Sequence, residues 1–160
     1  MSIKHLFIVF FIATLFSCER DDICIDENTP QLIIRFHDAI ETDDLKSVSN
    51  LFVKVTNSLD EIVEINVIKT IDSIVVPLNV DQDYTKITLV KNANIDANAI
   101  TDEFTLNYTL NSIYVSRSCG YKSIYNDIIV SNSSSNWLSQ IQKEVDDIEN
   151  ESIAHLTIFH

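Results

Sequence analysis

A single glycine, Gly120, stands among 160 residues, and that scarcity narrows what this chain can do. Phosphate-cradling loops and dinucleotide fingerprints need several glycines so that backbone can close on phosphate oxygens. Both are excluded, and with them most nucleotide-using enzymes. Basic residues are also few: 11 Lys and Arg stand against 24 Asp and Glu, a formal net charge of −13. No basic cluster forms, which argues against nucleic acid as a partner and against electrostatic docking on anionic lipid. No apolar run after Phe16 approaches the length that spans a bilayer. No Cys/His spacing suits zinc, and nothing in the composition asks for a cofactor or a metal.

What is present begins at the N-terminus. Lys4 supplies a charged n-region, and Leu6 to Phe16 form an apolar h-region too short to cross a bilayer. Leu15-Phe16-Ser17-Cys18 then resembles a lipobox, the site at which Cys18 receives a diacylglyceryl group and the signal is cleaved ahead of it. Phe16 departs from the small residue usual at that place. The pattern predicts a signal peptide over 1–17, a lipidated tether over 18–30 and one domain over 31–160. Removal of Lys4 would make the mature chain one unit more negative than −13. Behind Cys18, Glu19-Arg20-Asp21-Asp22 resembles the export signal of Bacteroidetes-type envelopes, in which a basic residue followed by acids sends lipoproteins to the outer face of the outer membrane. The expected location is the outer membrane, on its surface or its periplasmic face, with the N-terminal lipid as the contact to membrane.

Three cysteines become two once Cys18 carries lipid. An even remainder in an oxidising compartment points to a Cys24–Cys119 disulfide. Two free buried thiols, or a reactive Cys119, are the alternatives. A bridge would close a loop of nearly a hundred residues, for which the chain-entropy relation gives about 4.7 kcal/mol.

Beyond residue 30 the pattern is that of strands. Phe104, Leu106, Tyr108 and Leu110 alternate with Glu103, Thr105, Asn107 and Thr109, the period of two that a strand with one buried face requires. Leu32, Ile34 and Phe36 alternate likewise, as do Leu51, Val53 and Val55, and Ile87 and Leu89. Ile71 to Leu78 is a β-branched run that reads as a more fully buried strand, closed by Pro77. Residues 113–116, 124–130 and 154–159 complete the set. Polar clusters at 41–46, 57–61, 79–83, 92–102 and 131–136 separate these runs. With one glycine, the turns must draw on Asn and Asp, which tolerate left-handed backbone. Trp137, Ile141, Val145 and Ile148 fit a helical stripe, but the all-β surroundings favour one strand or two short ones. The expected fold is all-β, a single immunoglobulin-like antiparallel β-sandwich.

Candidate chemistry is sparse. His37-Asp38 has the form of a base with its orienting acid, and Cys119 or a serine could act as nucleophile with His37 or His155. The plainer reading makes His37 and His155 rim residues at strand ends. Asn79-x-Asp81-x-Asp83 opens like a calcium loop, but Tyr84 and Val90 stand where that loop needs glycine and glutamate. A solvated hairpin turn is the expectation there. In Ser116-Arg117-Ser118-Cys119-Gly120-Tyr121, Arg117, Gly120 and Tyr121 form a candidate recognition loop, since Arg and Tyr dominate binding hot spots. The competing and favoured reading is a tight turn fixed by the bridge, with Gly120 at positive φ. Asp72-Ser73-Ile74 also matches a three-residue O-glycan acceptor motif of such envelopes, inside an expected strand.

Several of these segments occur in one order. Cys18-Glu19-Arg20-Asp21-Asp22-Ile23-Cys24, Thr29-Pro30, Asp72-Ser73-Ile74 through Pro77-Leu78, Ser116-Arg117, Cys119-Gly120-Tyr121-Lys122, and Asn150-Glu151 before Ala154-His155 resemble a group of uncharacterised Bacteroidetes lipoproteins, carried as a domain of unknown function. The resemblance implies the lipid anchor and the Cys24–Cys119 pairing, and it implies no activity. The function expected is a non-enzymatic, lipid-anchored binding or assembly module of the outer membrane, with an envelope protein or an extracellular ligand as partner. A periplasm-facing accessory subunit and a small Cys- or Ser-dependent hydrolase are the alternatives.

Overall fold

The structure, a computed structural model, describes Cys24 and residues 29–56, 62–66, 70–94 and 96–160. The expected lipidation site Cys18, the export signal Glu19, Arg20, Asp21 and Asp22, and the polar cluster 57–61 lie outside the described residues. Among the described residues nine strands follow in order: β1 (Leu32–His37), β2 (Phe52–Thr56), β3 (Ile62–Asn66), β4 (Ser73–Val76), β5 (Tyr84–Lys91), β6 (Ile100–Ser116), β7 (Gly120–Ser131), β8 (Gln140–Lys143) and β9 (Leu156–Phe159). Among the described residues the sole helical element is a 3₁₀ turn, Asp96–Asn98. The strands form a four-stranded sheet, β4-β1-β9-β8, and a five-stranded sheet, β3-β2-β5-β6-β7.

Alternation dictates which side chains meet between the two sheets. Leu32, Ile34 and Phe36 of β1 are fully buried, with Leu156 and Ile158 of β9 beside them. Opposite lie Val53, Ile87, Leu89, Phe104 and Leu106, also buried. The result is the expected β-sandwich. One pairing departs from the antiparallel expectation: β1 and β9 run parallel, Ile34 beside Leu156 and His37 beside Phe159. Alternation reports which face of a strand is buried and is silent about its direction, which the 144–155 connection sets.

Four other expectations are corrected. Strand β3 pairs with β2 where the sequence reading placed no strand. The two strands expected at 103–110 and 113–116 are one strand of 17 residues. Beyond Leu110 both faces of β6 are solvated, so alternation fades while the strand continues. The β-branched run at 71–78 yields an edge strand, with Ile74 and Val76 buried and Val75 45% exposed. Residues 79–83 do not form a hairpin turn, because β4 and β5 belong to different sheets. They form a crossover, closed by a ring of hydrogen bonds: Asn79 N donates to Thr85 Oγ1 (2.9 Å), which meets Tyr108 Oη (2.7 Å), which donates to Asn79 O (2.8 Å). Burial pushes the Tyr108 phenol up to about 12, above its ordinary range.

The ambiguous segment 137–148 is extended. It contains β8 and an isolated bridge between Tyr125 and Ile148, and Trp137, Ile141 and Val145 all pack against the core. Left-handed backbone falls on Asn50, Asn92, Asp127 and Asn132, with Gly120 at φ 71°. Asp127 occupies a bulge in β7, the extra residue that lets Tyr125 and Ile128, three apart, both point inward.

Candidate functional site

The outward face of the four-stranded sheet carries the residues of opposite parity to the core. Parallel pairing of β1 with β9, and antiparallel pairing of β9 with β8, align them in rows. His37, Phe159 and Gln140 form one row, and Arg35, Thr157 and Gln142 the next. A third row, Ile33, His155 and Glu144, is held by His155 N donating to Ile33 O and Glu144 N to His155 O. Two loops rise beside this face, one carrying Thr42 and Asp43 and the other Ile153 and Ala154. Together they bound a groove of about 570 Å³.

Each wall has a local cause. Asp38 Oδ1 accepts the N–H groups of Ile40 and Glu41, and its other oxygen pairs with Lys46 Nζ at 2.7 Å. The Lys46 contact, and then the two N–H groups, hold the Asp38 carboxyl down at about 2. Lys46 Nζ also donates to His160 O, which ties the 38–46 loop to the end of β9. His37 Nδ1 donates to Thr42 O at 2.8 Å, leaving Nε2 for another partner. The His37-Asp38 pairing that a hydrolase would use does not form: each has its own backbone contacts. Phe159 lies edge-on to His37, ring centroids 5.9 Å apart, and with Thr157 it makes a nearly covered floor. Among the described residues no carboxylate pairs with the exposed Arg35 guanidinium.

His155 is a buried bridge between loop and strand rather than a rim residue. Its Nδ1 accepts Ile33 N–H at 2.9 Å, which leaves the ring proton on Nε2 to donate to Asn150 O at 2.9 Å. Burial lowers its pKa below the ordinary 6.5, against the opposing effects of Asn150 O and Glu151. His160, between Lys46, Lys91 and Asp38, is lowered too, again chiefly by burial. The unfolded chain therefore takes up protons near 6.5 that the folded chain refuses. The stabilisation is complete above that pH and drains away as pH falls through the depressed folded values. Denaturation midpoints are expected to fall between pH 7.5 and 5.5. The fall should shrink in His155→Gln, whose amide supplies one acceptor and one donor without titrating; an unchanged pH slope would rule His155 out as its source.

The other sequence candidates lie elsewhere. Cys24 and Cys119 form a disulfide, Cα atoms 4.9 Å apart, at the tip of the β6–β7 hairpin. Arg117 lies in the turn there, Gly120 opens β7, and Tyr121 packs edge-on against Tyr114 at 5.4 Å. The Cys119 sulfur that a hydrolase would use is thus bonded to Cys24, and Cys119 is not among the residues that line the groove. In the 79–83 crossover, Asn79 Oδ1 accepts Asp81 N–H. Among the described residues no three His, Cys, Asp or Glu side chains gather as metal ligands would. Sequence reasoning passed over Arg35, Gln140, Gln142, Thr157 and Phe159. Their off-core parity was the available signal, but nothing in the pattern makes β1, β9 and β8 neighbours.

An all-β sandwich with a polar groove on one outer sheet face is the class these features define. The chain belongs to a family of unknown function, DUF6452, whose family model matches residues 50–160. That segment carries β8 and β9 of the groove, while β1, with Arg35 and His37, precedes it. No curated protein and no solved structure matches the chain.

Proposed function

We propose that this protein is a non-enzymatic binding module, tethered to the outer membrane through lipid on Cys18, that receives its ligand in the groove over β1, β9 and β8. The observation that carries the reading is the groove itself: an unpaired guanidinium, two carboxamides and an imidazole nitrogen line it above an apolar ring, together with the Asp43 and Glu144 carboxylates, which accept from hydroxyls. These groups recognise a ligand that combines a carboxylate with hydroxyls, the chemistry of an acidic saccharide. Arg35 binds the carboxylate, since a guanidinium matches its two oxygens. Gln140 and Gln142 each offer a donor and an acceptor to hydroxyls, and Phe159 presents an apolar edge.

Calorimetric titration with an oligogalacturonate, and with a neutral oligosaccharide of equal length, tests this. The acidic oligomer should bind and the neutral one should bind more weakly. Arg35→Ala is expected to weaken binding about 10- to 100-fold, the equivalent of ~1.5–3 kcal/mol for hydrogen bonds to a charged group. Gln142→Ala should cost a few-fold. Absence of binding, or equal binding by both variants, would sink the groove reading. Protease treatment of intact cells, against a protected inner-leaflet lipoprotein, decides which face of the membrane the domain occupies.

The alternative, a periplasm-facing accessory subunit, finds support in β8. It ends the four-stranded sheet beside the groove, and a partner's extended segment could continue the sheet there. A stable partner retained through purification in mild detergent would favour it.

A further inference from the structure

The β6–β7 hairpin reaches past the rest of its sheet. β5 pairs with β6 only as far as Asn107, and from Asn111 to the turn no third strand pairs with the hairpin among the described residues, although Lys122 Nζ donates to Glu149 O beside it. Two-stranded ribbons are marginal in water, yet this one exposes Ile113 (40%), Tyr114 (57%) and Tyr121 (71%) around its tip. At that tip Cys119 is bonded to Cys24. The chain is held again at Thr29, whose Oγ1 accepts Ser123 N–H at 3.0 Å, before it enters β1.

This arrangement changes where the tether leaves the domain. Without the bridge, the free chain between Cys18 and Thr29 would span about 40 Å at full extension; with it, the stretch from Cys18 to Cys24 spans about 22 Å. The bridge therefore brings the tip, and not the start of β1, nearest to the lipidated residue. Tyrosine suits the place that results, because its ring is apolar and its hydroxyl is wet, and the residue is enriched where hydrocarbon meets headgroups.

We infer that the hairpin tip, through the paired Tyr114 and Tyr121, rests in the headgroup layer of the bilayer that holds the Cys18 lipid. The inference depends on the lipoprotein reading above. The contact is interfacial and rests on the two tyrosine rings, with Arg117 of the turn and Lys122, opposite Ile113, beside them. It stands the sandwich on its hairpin, and β1 runs from Leu32 away from the tip, so the His37 end of the groove is held off the membrane.

The test uses the full lipidated protein in phosphatidylethanolamine vesicles whose acyl chains are brominated close to the headgroups. Tyr121→Trp places a reporter at the tip, and Ile40→Trp places one on the exposed loop after β1; the contribution of Trp137, read from the parent chain, is subtracted. Quenching should be several-fold greater at position 121 than at 40. In a Cys24→Ser, Cys119→Ser background the difference should shrink, because the longer tether frees the tip. Equal, weak quenching at both positions would overturn the inference and leave the tip to a protein partner. The mass of the N-terminal peptide separates the two readings. A peptide without lipid overturns the lipoprotein reading and this one together, whereas a lipidated chain with an unquenched tip overturns this one alone.

Discussion

Asp102→Ala should lower the stability of this protein by about 3–5 kcal/mol, the range for removing one partner from a buried charged network. Asp102 has no exposed surface. Its Oδ1 accepts Ser134 Oγ–H at 2.6 Å and Asn136 N–H at 2.7 Å; its Oδ2 accepts Trp137 N–H at 2.7 Å and Leu138 N–H at 2.9 Å. One carboxylate on β6 thus organises the entire approach to β8. Alanine would strip all four donors at once, and those of Trp137 and Leu138 lie where water cannot readily replace it. Burial, the largest single influence, raises the Asp102 pKa, but the four hydrogen bonds together outweigh it and the net direction is downward. The contribution is therefore present above the ordinary 3.8 and is lost as pH falls through the lower folded value. Denaturant titration reads the effect as a shifted midpoint with an unchanged slope. Because residues 134–138 deliver Gln140 and Gln142 to the groove, the same variant should also weaken ligand binding. A midpoint within about 1 kcal/mol of the parent would show that the loop holds its path without the carboxylate.

Removing the disulfide is the second large effect. Cys24 and Cys119 are 95 residues apart, and opening a loop of that size costs up to about 4.7 kcal/mol by chain entropy. The bridge lies at the hairpin tip, outside the core between the sheets. Its loss should therefore act mainly through the freedom returned to the unfolded chain, and the folded sandwich should persist. A Cys24→Ser, Cys119→Ser chain is expected to keep the near-ultraviolet signal of the packed Trp137, Tyr108 and Tyr125 while its denaturation midpoint drops. A midpoint equal to that of the oxidised parent would mean that the unfolded chain is already constrained there. Loss of the aromatic signal at low denaturant would instead give the bridge a role in the folded packing.

Much of the fold was legible because burial on one face imposes a period of two. Leu32, Ile34 and Phe36, and Phe104 through Leu110, announced their strands in that way. Legibility failed where the physical cause of the pattern was absent. The outer half of β6 has no buried face, so Asn111 and Ser112 read as a break in a strand that continues. Val75 looked like core because a β-branched run marks extended backbone, whether at an edge or in the middle of a sheet. Asp102 sat at the end of a polar cluster and looked like a turn residue. A buried carboxylate is recognisable only from its donors, and here those lie more than thirty residues downstream.

The groove shows the same division. Arg35 and His37 have the right parity to face away from the core, as do Gln140 and Gln142, and that much depends on side-chain alternation alone. Composition likewise excluded phosphate loops through the lack of glycine, and cysteine arithmetic singled out Cys24 and Cys119 as a pair. These are local or compositional properties, which need no knowledge of neighbours. The order β4-β1-β9-β8, the parallel entry of β9 beside β1 and the four donors gathered on Asp102 join residues up to 122 positions apart. No period in a sequence encodes such meetings. They arise when two sheets exclude water from a common core and each strand settles beside the neighbour that completes its hydrogen bonds, and only the tertiary structure decided them.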